Sequence, residues 1–520
     1  MDQFAKQALL EYNSEECSPH PGGVEGRAFW NTNASQFMFV PTLQFPRIPK
    51  GRAYIYTAED QHGKTHSFRA STPTASLAPI WSVIPEGFVT LRVEALDKFD
   101  NVLALVGTRT FFKCAPFPGR AALPPKAKTY RDCALDAFRF VYNDPMVQRW
   151  LTHGTPDPDY AHNAYPAKTI ESIIRAMIYY AKFEPFNADN ALLLARRAAD
   201  YLLSITPDGD DPLAGLPPTY SFEGLHAESV NKVAPAAEGC LGTTMMIYPV
   251  AAAHALLELA EVTGDEKYFN AALRIAEYYK ANVLPCGSWY LLYDCKTGKP
   301  LTNNICVNFK FVTFFHSLFE KTRDPAWHEL EVGCYKYISE VCLKTYNWEG
   351  QFEDVKVSGN YQNLTHFTAN NMIEYIAANL ADDGKMVAEA VDLMRYVEDQ
   401  FVVWGEFPRW GAAEEQKIYH TPAGLEQYFC YCPIDASAAT IMSAFMSMYH
   451  LRHDRLYLEK AMALGDMTTR MQDPESGIVP TFWIGENCAE GRRNFWINCQ
   501  IHTAFVMMRL AELTETEGIE

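Results

Sequence analysis

The 520-residue chain predicts a mainly α fold: an (α/α)6 barrel of six helical hairpins, preceded by a small N-terminal antiparallel β-sandwich. Three observations lead there. Near Tyr130 the apolar period changes from that of strands to that of amphipathic helices. Beyond it about twelve helical runs recur at roughly 60 to 80 residues per pair, a repeat signature. Finally, the joins within pairs are short and the joins between pairs are long.

The strand-like part comes first. Between residues 35 and 115, segments such as Gln36-Phe37-Met38-Phe39-Val40, Ala53-Tyr54-Ile55-Tyr56-Thr57 and Val89-Thr90-Leu91-Arg92-Val93-Glu94-Ala95 are divided by Gly, Pro, Asp and Asn turns. That alternation suits strands with one buried face. Residues 93–102, with Asp97, Asp100 and Asn101 at the turn, look like a fibronectin-type hairpin. A connector with Pro116, Pro118, Pro124 and Pro125 follows. The expected division is a β-sandwich over 1–115, a linker over 116–129 and the barrel over 130–520.

Helical runs then begin near Asp132, Ala167, Asp189, Thr243, Asp265, Cys306, Pro325, His366, Lys385, Ile434, Arg455 and Asn498. They pair as six hairpins if the first packs against the last. Thr263-Gly264-Asp265, Thr322-Arg323-Asp324-Pro325 and Arg452-His453-Asp454 each place an acid where a helix start leaves N–H groups free. Because hairpin helices run antiparallel, all the long joins gather on one face, and loops presented by a rigid scaffold carry function.

Composition narrows the function. The formal net charge of −18, with no basic cluster, argues against nucleic acid as a partner. No stretch reaches the roughly 18 apolar residues of a membrane span. The thirteen cysteines are scattered without zinc spacing, and the start Met-Asp-Gln-Phe-Ala-Lys-Gln has no basic-then-apolar signal, so a cytoplasmic protein with reduced thiols is expected. Nothing in the pattern fixes an oligomeric state.

The long joins hold Trp289, Trp348, Trp404, Trp410, Trp483 and Trp496. Indole stacks on the C–H face of a sugar ring, so these suit an oligosaccharide. The same joins carry acids: Glu353 and Asp354 in Gly350-Gln351-Phe352-Glu353-Asp354, Glu406 beside Arg409, and Glu426 ahead of Asp435. Glycoside hydrolysis uses two carboxyls, one protonated toward the leaving group and one facing water or the sugar. Glu353 or Asp354 is expected to supply one, Glu406 or Glu426 the other, with Asp435 a further candidate. His226, Arg409 and Tyr428 are placed to orient the sugar, and Trp404, Trp410 and Trp483 to stack on it. Glu238, Trp289, Trp496 and Arg492 complete the binding set, the arginine as a bidentate reader of a carboxylate. Each acid has a plainer role too: Asp435 as a helix cap, Glu353 and Asp354 as turn residues, Glu406 as the ion-pair partner of Arg409. The scheme needs no metal or organic cofactor. Asn363, Tyr361 and His366 support an alternative, since such a group can move a proton beside a uronate, as a lyase or epimerase does. A glycan-binding protein without turnover is the remaining alternative.

Residues 130–515 resemble the six-hairpin glycosidase superfamily. The stretches Gly350-Gln351-Phe352-Glu353-Asp354, Gly424-Leu425-Glu426-Gln427-Tyr428 with Pro433-Ile434-Asp435-Ala436-Ser437-Ala438, and Pro480-Thr481-Phe482-Trp483 with Trp496-Ile497-Asn498-Cys499 are most similar to bacterial proteins near glycoside hydrolase family 154. That resemblance implies β-glucuronidase-like hydrolysis of a uronic-acid-containing oligosaccharide.

Overall fold

A computed structural model describes residues 2–14, 16–17, 33–221, 240–307, 309–345, 348–355, 357, 363–407, 419–485 and 495–519. The period-2 segment forms two sheets. Its strands are β1 (Glu16–Cys17), β2 (Gln36–Phe37), β3 (Val40–Gln44), β4 (Ala53–Asp60), β5 (Thr65–Ala70), β6 (Thr74–Ser76), β7 (Gly87–Leu96) and β8 (Val102–Lys113). Five pair in the order β2-β8-β7-β4-β5 and three in the order β1-β3-β6. Val89, Leu91, Val93 and Ala95 of β7 turn inward while Thr90 and Arg92 face solvent, as a half-buried strand requires. Asp97 closes the β7–β8 hairpin by accepting from Phe99 N (2.7 Å) and Asn101 N (2.9 Å).

Helix α1 (Gln3–Ser14) lies outside both sheets and bridges to the helical part. Tyr12 donates to the Cys114 carbonyl (3.1 Å) and Gln7 to Asp454 (2.9 Å).

The barrel helices are α2 (Tyr130–Asn143), α4 (Pro166–Phe183), α5 (Ala188–Ser204), α6 (Ile247–Thr263), α7 (Glu266–Ala281), α8 (Lys310–Thr322), α9 (Pro325–Lys336), α10 (Phe367–Asn379), α11 (Gly384–Phe401), α12 (Asp435–Arg452), α13 (Arg455–Met471) and α14 (Ile497–Thr516). The periodicity did not separate α3 (Pro145–His153), an extra helix that Asp144 caps at Met146 N (2.9 Å). Sequential hairpins α4/α5, α6/α7, α8/α9, α10/α11 and α12/α13 are joined by α2 packed on α14, which closes the circle. Helices α4, α6, α8, α10, α12 and α14 form the inner ring.

The short joins are capped by aspartates, at the three expected places and at Asp383 as well. Asp265, Asp324, Asp383 and Asp454 accept from Lys267, Ala326, Lys385 and Leu456 N at 3.1, 3.0, 2.9 and 3.0 Å. Two inner helices start later than the period implies, at Ile247 and Lys310. Thr243–Met245 instead pairs as a strand with Leu292–Asp294, and Cys306 lies in a bridge-forming loop whose N–H reaches the Trp289 carbonyl (2.8 Å). Asp399 at the end of α11 ties sandwich to barrel, accepting from Met38 N (2.6 Å) and Phe39 N (2.7 Å).

Candidate active site

Every inner helix begins on the long-join face, so the first turns gather at that end of the barrel. This places Lys168 of α4, Tyr248 of α6, His366 just before α10, Asp435 of α12 and Cys499 of α14 around one centre. Two joins add carboxyls: residues 348–355 bring Glu353 and Asp354, and residues 423–433 bring Glu426.

Close packing fixes both joins. A Cβ on Gly350 would stand 2.5 Å from the Phe352 ring, and one on Gly424 2.7 Å from Ala438 N. Asn363 holds the two joins together, donating to Gln427 Oε1 (2.5 Å) and accepting from Phe429 N (2.9 Å). Thr365 Oγ1 donates to the Glu426 carbonyl (3.0 Å).

Glu353 is buried, and its carboxylate accepts from the Lys168 ammonium and the Tyr248 hydroxyl. Tyr220 donates to its carbonyl (3.0 Å). Burial alone would raise its pKa, but the Lys168 charge and the two hydrogen bonds hold it below the usual carboxylate range. Both oxygens are committed to protein groups, which leaves Glu353 as the fastener of Lys168. Asp354, next to it, is exposed. Its surroundings and the neighbouring Glu353 charge push it up to about 6. Burial and then the Asp354 charge push half-buried Glu426 up to about 7.

The other predicted acids are placed differently. Asp435 is fully buried, accepts from Thr503 Oγ1 (3.1 Å), and burial raises it well above the carboxylate range. It is enclosed, and it is the first residue of α12 rather than its cap. Glu406 is exposed beside the sandwich, between Gly405, which faces Ala115, and Phe407, which packs on Phe112 at 5.5 Å.

The tryptophans correct the stacking expectation. Trp289 is fully buried, donates to the Tyr279 carbonyl (2.8 Å) and stacks on Phe311 (4.5 Å). Trp404 donates to Glu398 (3.1 Å) and packs on Phe117 (4.7 Å), while Trp483 donates to the Pro480 carbonyl (3.1 Å). Trp348 is buried as well. The long joins fold back over the rim and need a core of their own, which these indoles supply. Half-buried Trp496 does line the mouth, stacked on His162 at 3.6 Å with the Lys168 ammonium 4.4 Å from its ring centre.

Tyr428 is half-buried, stacks on Phe401 (5.6 Å) and donates to Gln400 (2.8 Å). His366 is sealed, pairs its Nδ1 with Asn370 (2.8 Å), and burial lowers it to about 3. His226, Glu238, Tyr361, Arg409, Trp410 and Arg492 lie outside the described residues.

Sequence reasoning missed Lys168, Tyr248 and His162. The signal for the first two is their place in the first turn of an inner helix. Below them the barrel axis stays polar. Lys310 of α8 reaches across the ring to Glu171 of α4 (3.6 Å), with Arg175–Glu258 (2.9 Å) and Arg509–Glu374 (3.8 Å) deeper still. Among the described residues no group of three His, Cys, Asp or Glu side chains is arranged to hold a metal ion, and no helix is long and apolar enough to cross a membrane.

No protein-family profile matches the sequence, and no curated protein does. Solved structures share its shape. Cellobiose 2-epimerase from Spirochaeta thermophila DSM 6192 superposes with a TM-score of 0.50 at 12% identity, covering 74% of this chain and 98% of that one. A D-mannose isomerase gives the same values. A family 76 glycoside hydrolase from a bovine Bacteroides thetaiotaomicron strain covers 91% of this chain and 95% of its own at 9% identity, with a TM-score of 0.47. At such identities the likeness to the epimerase and the isomerase establishes the (α/α)6 barrel as the fold.

Proposed function

We propose that this protein is a carbohydrate-processing enzyme, a glycoside hydrolase in which Glu426 is the general acid and Asp354 the opposing carboxylate. One observation carries the reading: two carboxyls stand at one end of the barrel, Asp354 pushed up to about 6 by burial and the Glu353 charge, and Glu426 pushed up to about 7 by burial and the Asp354 charge. Near neutral pH Glu426 holds the proton that the leaving oxygen needs, while Asp354 is ionised to activate water or attack the anomeric carbon. Lys168, pinned by Glu353, keeps a positive charge beside both. Trp496 adds an apolar wall.

The finer expectation of a uronic acid is supported by Lys310. Its side chain is 45% exposed, and its ammonium stands 3.6 Å from the Glu171 carboxylate and 6.0 Å from the centre of the Tyr248 ring. A uronate carboxylate entering the mouth can compete for that ammonium.

The test is hydrolysis of aryl β-glucuronides against aryl β-glucosides, with Asp354→Asn and Glu426→Gln alongside. Loss of a general acid costs about 10²- to 10⁴-fold, so both variants should fall by at least the lower figure. Full activity in both would end the assignment.

A second reading, a sugar epimerase or isomerase, draws support from the fold shared with the cellobiose 2-epimerase and the D-mannose isomerase. It predicts solvent deuterium appearing in unbroken sugar. Tight binding without either outcome would instead indicate a glycan-binding protein.

A further inference from the structure

The join that carries Asp354 also walls a cavity of about 120 Å³. Asn303 and Asn304 come from the join before α8, Tyr337 from the π-helical stretch (Tyr337–Cys342) that continues α9, and Glu349, Gln351 and Val357 from the acid-bearing join. Gln351 is spent on construction. It accepts from Val307 N (2.8 Å) and donates to the Ile305 carbonyl (2.7 Å), fastening the two joins together. Asn303, exposed, and Asn304, half-buried, form no side-chain hydrogen bond among the described residues. Glu349 and the Tyr337 ring are nine-tenths or more buried and form wall and floor.

This lining has a definite chemical preference. Two uncommitted carboxamides offer donors and acceptors side by side, the pattern that meets vicinal hydroxyls. A carboxyl in the wall disfavours an anionic unit, and an aromatic floor suits a C–H face. Gln351 precedes Asp354 by three residues, so their Cα atoms are at most about 11 Å apart along an extended chain. A second or third unit of one oligosaccharide spans that distance.

We propose that this cavity is an accessory sugar subsite, taking a neutral, hydroxyl-rich unit of the glycan whose reacting bond lies at Asp354 and Glu426. The enzyme then favours oligosaccharides over monosaccharides. The inference rests on the carbohydrate-processing reading above.

The full-length Glu426→Gln protein, titrated calorimetrically with cellotriose, xylotriose and mannotriose and with glucose, xylose and mannose, tests it. At least one trisaccharide should bind about tenfold or more tightly than its monosaccharide, the scale of one or two hydrogen bonds. Adding Asn303→Ala with Asn304→Ala should collapse that ratio toward one. Val357→Trp, which fills the cavity without removing a hydrogen bond, should do the same. A ratio unchanged by both sets of substitutions overturns the subsite, as does the absence of any trisaccharide binding. A ratio that depends on Asn303 and Asn304 in a protein that cleaves no glycoside keeps the subsite and removes the hydrolase reading.

Discussion

Glu426 and Asp354 set how the mouth responds to pH. Turnover needs Glu426 protonated and Asp354 ionised, so the rate should rise through about 6 and fall through about 7. Those limbs belong to the interacting pair rather than to either residue alone. Stability follows Glu426 and Glu353 with opposite signs. The folded pKa of Glu426 lies above its unfolded value, so its contribution is present in acid and lost as pH rises through about 7. Glu353 is held low, so its contribution is present at neutral pH and lost as pH falls through its folded value. Two carboxyl-to-amide changes a short distance apart therefore diverge. Glu426→Gln should be more stable than the parent above pH 7. Glu353→Gln strands the Lys168 charge against Trp496 and should cost about 3–5 kcal/mol, the scale of breaking a buried pair. Denaturant unfolding at pH 5 and 8 reads both, and a shared direction at pH 8 would contradict the placement of the two acids. The role of Lys168 was not legible in the sequence because its partner lies 185 residues away.

At the scale of elements, the sandwich buttresses the join that carries Glu426. Gln36 of β2 donates to the Gln400 carbonyl (3.0 Å), and Gln400 donates back to the Gln36 carbonyl (2.9 Å). Tyr428 donates to Gln400 Oε1 (2.8 Å), and the Tyr431 hydroxyl also reaches the Gln400 carbonyl. Leu425, next to Glu426, closes the sequence with its N–H on the Phe401 carbonyl (2.8 Å). Gln400→Ala leaves the Tyr428 hydroxyl and the Gln36 carbonyl without this partner, at a cost of about 1–3 kcal/mol. A displacement near 1 Å at a reacting group costs about 10²-fold, so kcat should fall between 10- and 100-fold with a shifted alkaline limb. Unaltered kcat and pH profile in a folded Gln400→Ala protein would detach the sandwich from the chemistry. Tyr428 reads in the sequence as a sugar contact, whereas in the fold its hydroxyl is a strut on Gln400. Trp404 shows the same limit: an indole in a loop reads as a ligand platform until the packing of Phe117 on it is seen.

Across the whole molecule, the architecture was legible because its signals are local. Period, caps such as Asp265 and Asp454, and the contrast of short with long joins all lie within a few residues of one another. The mouth was less legible because it assembles first turns that the sequence scatters over more than 300 residues, from Lys168 to Cys499. Closure of the ring is the step on which that assembly depends. Helix α14 belongs to the inner ring, but its outer partner is α2, the first helix of the barrel. Their seam buries Ala134, Ala137, Phe138 and Val141 and takes Gln500 to the Gly477 carbonyl (3.2 Å) and Val479 N (2.7 Å). At its solvent edge Arg131 pairs with Glu515 at 2.6 Å. That pair is exposed enough for Arg131→Ala to cost no more than about 1 kcal/mol. Removing residues 497–520 is a different perturbation. It strips the apolar faces of α2, α4 and α12 of their neighbour, and no other hairpin can fill a gap in a closed ring. The truncated chain should lose cooperative thermal unfolding throughout the barrel, followed by circular dichroism, whereas Arg131→Ala keeps a single sharp transition. A truncated protein that still melts in one transition of undiminished enthalpy would show that five hairpins fold without closure.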